Sequence, residues 1–269
     1  MSDVKNSSLA TGLVSYWELE ETSGTRVDSH GSNDLTDNNT VGSATGIQGT
    51  GADFEASNVE SLSITDATQT GLDLSTDFSI ATWVNFESYP PVQAGLVCKW
   101  QTSTGKRSWM FYVQSNELRL VTSPSGTWTG SLGGVSWTPS NGVWYHIACT
   151  FDVSAGSVIF YLNGSQLGTA QNGLATSIYN GTSDVVVGGN SDNYLFDGVM
   201  DEVGIWSRAL SASDVTALYN SGAGIPYDAG GASYTGDIKS VAGVLQADVK
   251  SISGVANADI KSFQGVSNV

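Results

Sequence analysis

Val158-Ile-Phe-Tyr-Leu162, then Asn163-Gly164, then Ser165-Gln-Leu-Gly168 reads as a β-hairpin. Five apolar residues run into Asn-Gly, the dipeptide that takes positive φ at both centres of a type I′ turn. That turn has the twist two antiparallel strands need. Upstream, Trp109-Met-Phe-Tyr-Val113 and Glu117-Leu-Arg-Leu-Val121 pair in the same way across Gln114-Ser-Asn116. Further upstream, Asp77-Phe-Ser-Ile-Ala-Thr-Trp-Val-Asn-Phe86 sets Phe78, Ile80 and Val84 at period two, with Trp83 out of phase. Downstream, Asp184-Val-Val-Val-Gly188 and Asp197-Gly-Val-Met-Asp-Glu-Val-Gly-Ile-Trp206 add two strands. Short strands between Gly, Ser, Asn and Thr turns predict an all-β sandwich or jelly roll. One helix is expected. Ser211-Ala-Ser-Asp214 is a capping-box variant, Val215, Leu218 and Tyr219 share a face, and Gly222 ends the helix.

Composition agrees with an all-β chain. Of 269 residues, 32 are Gly, and charged residues make up only 13%. A net charge of −16 excludes a basic footprint for nucleic acid or anionic lipid, so neither is an expected partner. Met1-Ser-Asp-Val-Lys-Asn-Ser-Ser8 has no apolar core, so no signal peptide is expected. Val158–Leu162 is too short to span a bilayer. Cys98 and Cys149 are too few for a disulfide scaffold and form no CxxC. They read as buried free thiols, with a bridge between two core strands as the alternative.

Three blocks then carry a resemblance. They are Asp77-Phe-Ser-Ile-Ala-Thr-Trp-Val84, Val143-Trp-Tyr-His-Ile-Ala-Cys-Thr-Phe-Asp152 with Phe160-Tyr-Leu-Asn-Gly164, and Phe196-Asp-Gly-Val-Met-Asp-Glu-Val-Gly-Ile-Trp-Ser-Arg-Ala-Leu-Ser211. Leu13-Val-Ser-Tyr-Trp17, Asp28-Ser-His-Gly31 and Gly51-Ala-Asp-Phe-Glu55 fit as well. In this order the chain resembles the concanavalin A-like jelly rolls of the laminin G type. The resemblance implies a jelly-roll β-sandwich with one short C-terminal helix over residues 11–227, after a polar lead-in at 1–10. It leaves function open, because such sandwiches serve as lectins, adhesins, enzymes and spacers.

Beyond a Gly-rich linker at 228–236, three 11-residue repeats fill 237–269, with Asp at 237, 248 and 259 and Gly at 243, 254 and 265. So short a unit cannot bury its apolar face alone. A small repetitive β tail is expected, one strand and one turn per repeat, stacked or woven with other subunits. Val241, Val244, Ile252, Val255, Phe263 and Val266 would bury at its assembly contacts. The Ile-Lys-Ser-x-x-Gly-Val pattern and Asp34-Leu-Thr-Asp-Asn-Asn-Thr40 resemble structural proteins of tailed bacteriophages. This implies a non-enzymatic virion decoration protein of head, fibre or tail, displayed on the particle surface. It would associate with itself or other virion subunits and touch glycans. The alternatives are a secreted carbohydrate-binding lectin module and a glycoside hydrolase.

Candidate chemistry follows from these readings. The resemblance implies calcium at Asp28 and Asn33 of the early loop, completed by Asp201 or Glu202; Asp28 and Asn33 equally suit turn capping through their own backbone. Trp100, Trp128 and Trp137 lie in Gly/Ser/Thr-rich stretches, and Tyr194 lies in a polar loop. These four are the candidate sugar platforms, with burial at a strand edge as their plain alternative. Trp17, Trp83, Trp144 and Trp206 are expected in the core. A hydrolase needs two carboxylates across the sugar bond, and Glu18 and Glu20 are the nearest approach. His30 and His146 accompany no nucleophile elbow, so no catalytic residue is assigned.

Overall fold

The computed structural model describes residues 3–89, 92–128 and 131–228, together with four two-residue strands between 251 and 267. In chain order the strands are β1 (Leu13–Trp17), β2 (Thr36–Asn38), β3 (Gly42–Thr45), β4 (Thr50–Phe54), β5 (Ser61–Ile64), β6 (Phe78–Phe86), β7 (Gln93–Trp100) and β8 (Arg107–Gln114). They continue as β9 (Glu117–Thr122), β10 (Leu132–Ser136), β11 (Trp144–Asp152), β12 (Ser157–Leu162), β13 (Ser165–Asn172), β14 (Val185–Val187) and β15 (Gly198–Trp206), and helix α1 (Ala212–Tyr219) follows. No helix among the described residues is long and apolar enough to cross a membrane.

Two antiparallel sheets form the sandwich expected from the sequence. One has the order β13-β12-β11-β6-β15-β4-β3, with β1 also on β15; the other runs β10-β9-β8-β7-β14-β5-β2. Alternate residues of facing strands fill the space between them, including Phe78, Ile80, Trp109, Phe111, Phe151 and Phe160, all fully buried. The Asn163-Gly164 turn forms with φ of 49° and 76°, and Ser115-Asn116 makes the second tight turn at 53° and 61°.

The outer face of the eight-stranded sheet is also covered. Tyr16, Gly204, Ala81, Ala148 and Tyr161 line up across five strands. Over this face lie Val4, Leu9, Leu210, Val215, Leu218, Ile225 and Tyr227, forming a second apolar cluster. A strand with both faces buried carries apolar residues without alternation. That explains Trp83, which leaves the period-two pattern of β6 to stack on Tyr219 of α1 at 5.6 Å. It also corrects the reading of residues 1–10 as a polar lead-in. Val4 is fully buried, its N–H donates to the Pro226 carbonyl, and the Trp206 indole donates to the Leu9 carbonyl at 2.7 Å.

Helix α1 starts at the predicted box, Ser211 and Asp214 each capping the other's backbone N–H. It ends earlier than expected, at Asn220 in the left-handed region, rather than at Gly222. Trp144 is only half-buried, unlike Trp17, Trp83 and Trp206. Cys98 and Cys149 are free and buried on different faces, Cys98 outside the seven-stranded sheet and Cys149 between the sheets.

Ser2–Tyr227 form one compact unit, and the chain from Asp228 onward belongs to a second. In the second repeat Ser251–Ile252 (β16) pairs with Val255–Ala256 (β17), and in the third Ser262–Phe263 (β18) pairs with Val266–Ser267 (β19). Each of these repeats therefore holds two strands paired with each other, where one strand per repeat was expected. Ile252 and Val255 are register partners, as are Phe263 and Val266. Val241 and Val244 lie outside the described residues.

Candidate functional site

Among the described residues, no further segment packs over the outer face of the seven-stranded sheet around β7 to β9 as the second apolar cluster does over the eight-stranded one. Cys98, Met110 and Val121 pair across β7, β8 and β9 and make a small apolar floor with Trp100 and Tyr112. A groove of about 390 Å³ lies over it. Trp100 and Trp128 line one part, Tyr194 and Asn190 another, and Tyr112 and Arg119 a third.

Three devices assemble this wall. A β-bulge shifts the pairing of β7 and β8 so that Lys99 faces Trp109 while Trp100 faces Arg107, leaving Ser108 out of register. The Ser108 hydroxyl donates to Tyr179 O and accepts from Gly181 N–H. Bulges re-aim side chains, and here Arg107 turns onto the groove face, 5.8 Å from the Trp100 ring centre. The loop before β10 is held by Ser123, whose hydroxyl donates to Thr127 O, and by Gly126 at φ 76°. It delivers Trp128 edge-on to Trp100 with ring centres 6.2 Å apart. The loop before β15 is organised by buried Asn190, whose Oδ1 accepts from Asp192 and Tyr194 N–H, while Asp192 accepts from Thr102. This sets Tyr194 at the rim.

Trp128 is 56% exposed and Tyr194 is 40% exposed, so their rings are open to a ligand, whereas Trp100 at 4% forms the wall behind. Thus three of the four predicted platform residues meet in one groove. Trp137 does not. It lies in the core against Phe86 and Tyr145, because β10 delivers it between the sheets. Sequence reasoning missed Arg107 and Arg119. The signal for Arg119 was present, since it alternates with the inward Leu118 and Leu120; Arg107 depends on the bulge. Burial opposes the Arg119 charge, but Glu117 and Tyr112 hold it, so its pKa lies above the ordinary value. Burial pushes the Tyr112 phenol up.

The predicted calcium ligands are placed differently. Asp28 Oδ1 accepts from the N–H groups of Tyr16, His30 and Gly31, and its Oδ2 accepts from Asn33 N–H. Asn33 bonds Ser15 and both sides of Thr70. These bonds tie the loop to β1 through Ser15 and Tyr16 and to the segment at Thr70, besides capping the loop's own N–H groups. Asp201 Oδ2 accepts from Ile47 and Gln48 N–H, and the Glu202 carboxyl is buried beside the Tyr16 phenol. Among the described residues the acidic side chains that converge within 4.8 Å are instead Asp53, Glu55 and Glu87. Glu18 accepts from the Ser29 hydroxyl, and Glu20 accepts from Thr50 N–H at 2.9 Å.

The model of the concanavalin A-like lectin/glucanases superfamily matches residues 57–216, more than half of the chain. The chain belongs to the concanavalin A-like lectin/glucanases superfamily. Solved structures of the same fold include the binding domain of Paraclostridial Mosquitocidal Protein 1 (TM-score 0.62, 17% identity, 79% of this chain and 52% of that one). Domain 4 of AbnA, an extracellular arabinanase from Geobacillus stearothermophilus solved with arabinotriose, gives 0.58 and 17%, covering 76% and 96%. The binding domain of botulinum neurotoxin DC in complex with SialylT gives 0.60 and 12%, covering 80% and 52%. The superfamily member described here thus spans about half the length of those toxin binding domains. No curated protein matches it by sequence.

Proposed function

We propose that this protein is a carbohydrate-binding lectin module whose sugar site is the groove over β7 to β10. The observation that carries this reading is the meeting of Trp100, Trp128 and Tyr194, from three separate segments, over one uncovered face. Flat aromatic rings beside amide and guanidinium groups suit a sugar, whose C–H faces stack while its hydroxyls bond. The groove's volume lies within the range of small-molecule sites, roughly 300–1,000 Å³. The family, and relatives solved with arabinotriose and SialylT, support a glycan ligand. We favour binding over hydrolysis, since Glu18 and Glu20 bond nearby backbone and hydroxyl groups. The particle-decorating role rests on the repeats and on Asp34–Thr40, and the comparisons favour the lectin reading over it.

A glycan array tests the proposal. The intact protein should retain a defined set of glycans, and Trp128→Ala should weaken that binding about ten-fold, about 1.4 kcal/mol. Trp128 is exposed enough that the fold survives the change. A silent array, or unchanged binding by the variant, would refute the groove as a sugar site.

A further inference from the structure

We propose that the groove selects acidic glycans, those carrying a carboxylate or a sulfate, and that Arg107 is the selecting residue. This rests on the groove being the sugar site. The chain holds 26 Asp and Glu against 10 Lys and Arg, yet both charged residues lining the groove are arginines, Arg107 and Arg119. Among the described residues no carboxylate lines it.

Three of the four arginines in the sandwich are already engaged. Arg26 donates to the carbonyls of Gly24, Val41 and Gly42. Arg208 pairs with Asp214 at 2.9 Å. Arg119 pairs with Glu117 at 2.6 Å and donates to Gln114. Arg107 alone has neither ion pair nor side-chain hydrogen bond among the described residues, and its Nε is buried without a partner. The bulge on β8 aims it into the groove, where Trp100 supports its plane.

A half-buried guanidinium left unpaired in so acidic a molecule loses hydration without recovering it from a counter-charge. A ligand anion supplies that counter-charge. The planar fork of donors matches a carboxylate or sulfate in two-pronged fashion, while the neighbouring rings take the rest of the sugar.

The test is an array in which each glycan core is printed neutral, sialylated and sulfated, probed with the intact protein and three variants. The acidic forms should bind about ten-fold tighter than their neutral cores. Arg107→Gln should erase that preference by weakening the acidic forms more than the neutral cores, Arg107→Lys should restore part of it, and Trp128→Ala should weaken every form. Preference for the sialylated form alone points to a carboxylate, and preference for both acidic forms points to any tetrahedral or planar anion. If neutral and acidic forms bind equally through Trp128, or if Arg107→Gln keeps the preference, the inference is overturned while the lectin reading stands. If no form binds, both fall.

Discussion

Asp201 and Glu202 show how much one slip of register can do to two side chains. Strand β15 shifts against β6 between Asp201 and Gly204, and Glu202 adopts a φ of 51°. Asp201 becomes fully buried with Oδ1 unpartnered. Burial pushes its carboxyl up to about 7, against the pull of two backbone N–H groups. Burial and neighbouring Asp201 push Glu202 well above its usual range. Both acids keep their protons to higher pH when folded than when unfolded, where they ionise near pH 4. The stability they contribute is therefore full below about pH 4 and is lost as pH rises from there, through about 7 for Asp201 and beyond for Glu202. His146 works in the other direction. Burial lowers it to about 3, so stability is lost as pH falls below about 6.5, where the unfolded imidazole protonates. The two slopes oppose each other between about pH 4 and 6.5, and only the acids remain above. Melting temperature should thus decline from pH 6.5 to 8. Asp201→Asn, which keeps an acceptor for Ile47 and Gln48, should exceed the native protein in stability at pH 8 by about 2 kcal/mol. Its advantage at pH 5 should be smaller, and thermal melts at the two pH values check both expectations.

At the scale of elements, the hairpin tip and α1 stabilise one another. The Thr216 hydroxyl donates to Gly164 O at 2.8 Å, and a methyl group at Gly164 would sit 2.8 Å from the Tyr219 ring. Gly164→Ala should therefore cost about 1–2 kcal/mol for the left-handed backbone alone and disturb the Trp83–Tyr219 stack. A fall in chemical melting midpoint would register this. Ser211→Ala removes one half of the capping box and should cost about 1 kcal/mol. These elements were legible in sequence because Asn-Gly and Ser-x-x-Asp are local signals whose meaning does not depend on distant packing. The groove was legible only in part. Trp100 and Trp137 sit in similar polar stretches, and the sheet face that separates them is decided by long-range pairing. Arg107 was hidden further, since period two counted from Met110 and Tyr112 puts Ser108 on the groove face and Arg107 inside. One extra residue at the bulge reverses that. Asp28 and Asn33 offered oxygen donors in a compact loop; their capping of local N–H groups was among the readings, while the N–H groups of Tyr16 and Thr70, which also take them, come from segments distant in sequence.

Taken as a whole molecule, the sandwich is closed on one side by its own beginning. Val4 and Leu9 are buried in the outer cluster, and burying two such side chains contributes about 3–6 kcal/mol. Removing residues 1–10 should lower the melting temperature steeply and leave the Trp206 indole without its acceptor, measurable by calorimetry and tryptophan fluorescence. The same arrangement has a mechanical consequence. Val4 and Lys5 bond Pro226 and Tyr227, so the chain enters and leaves the sandwich side by side. Both points lie over the eight-stranded sheet, and the groove lies over the seven-stranded one. A label joined to the sandwich at either place therefore starts on the sheet opposite the groove and leaves the aromatic rim free at its point of attachment.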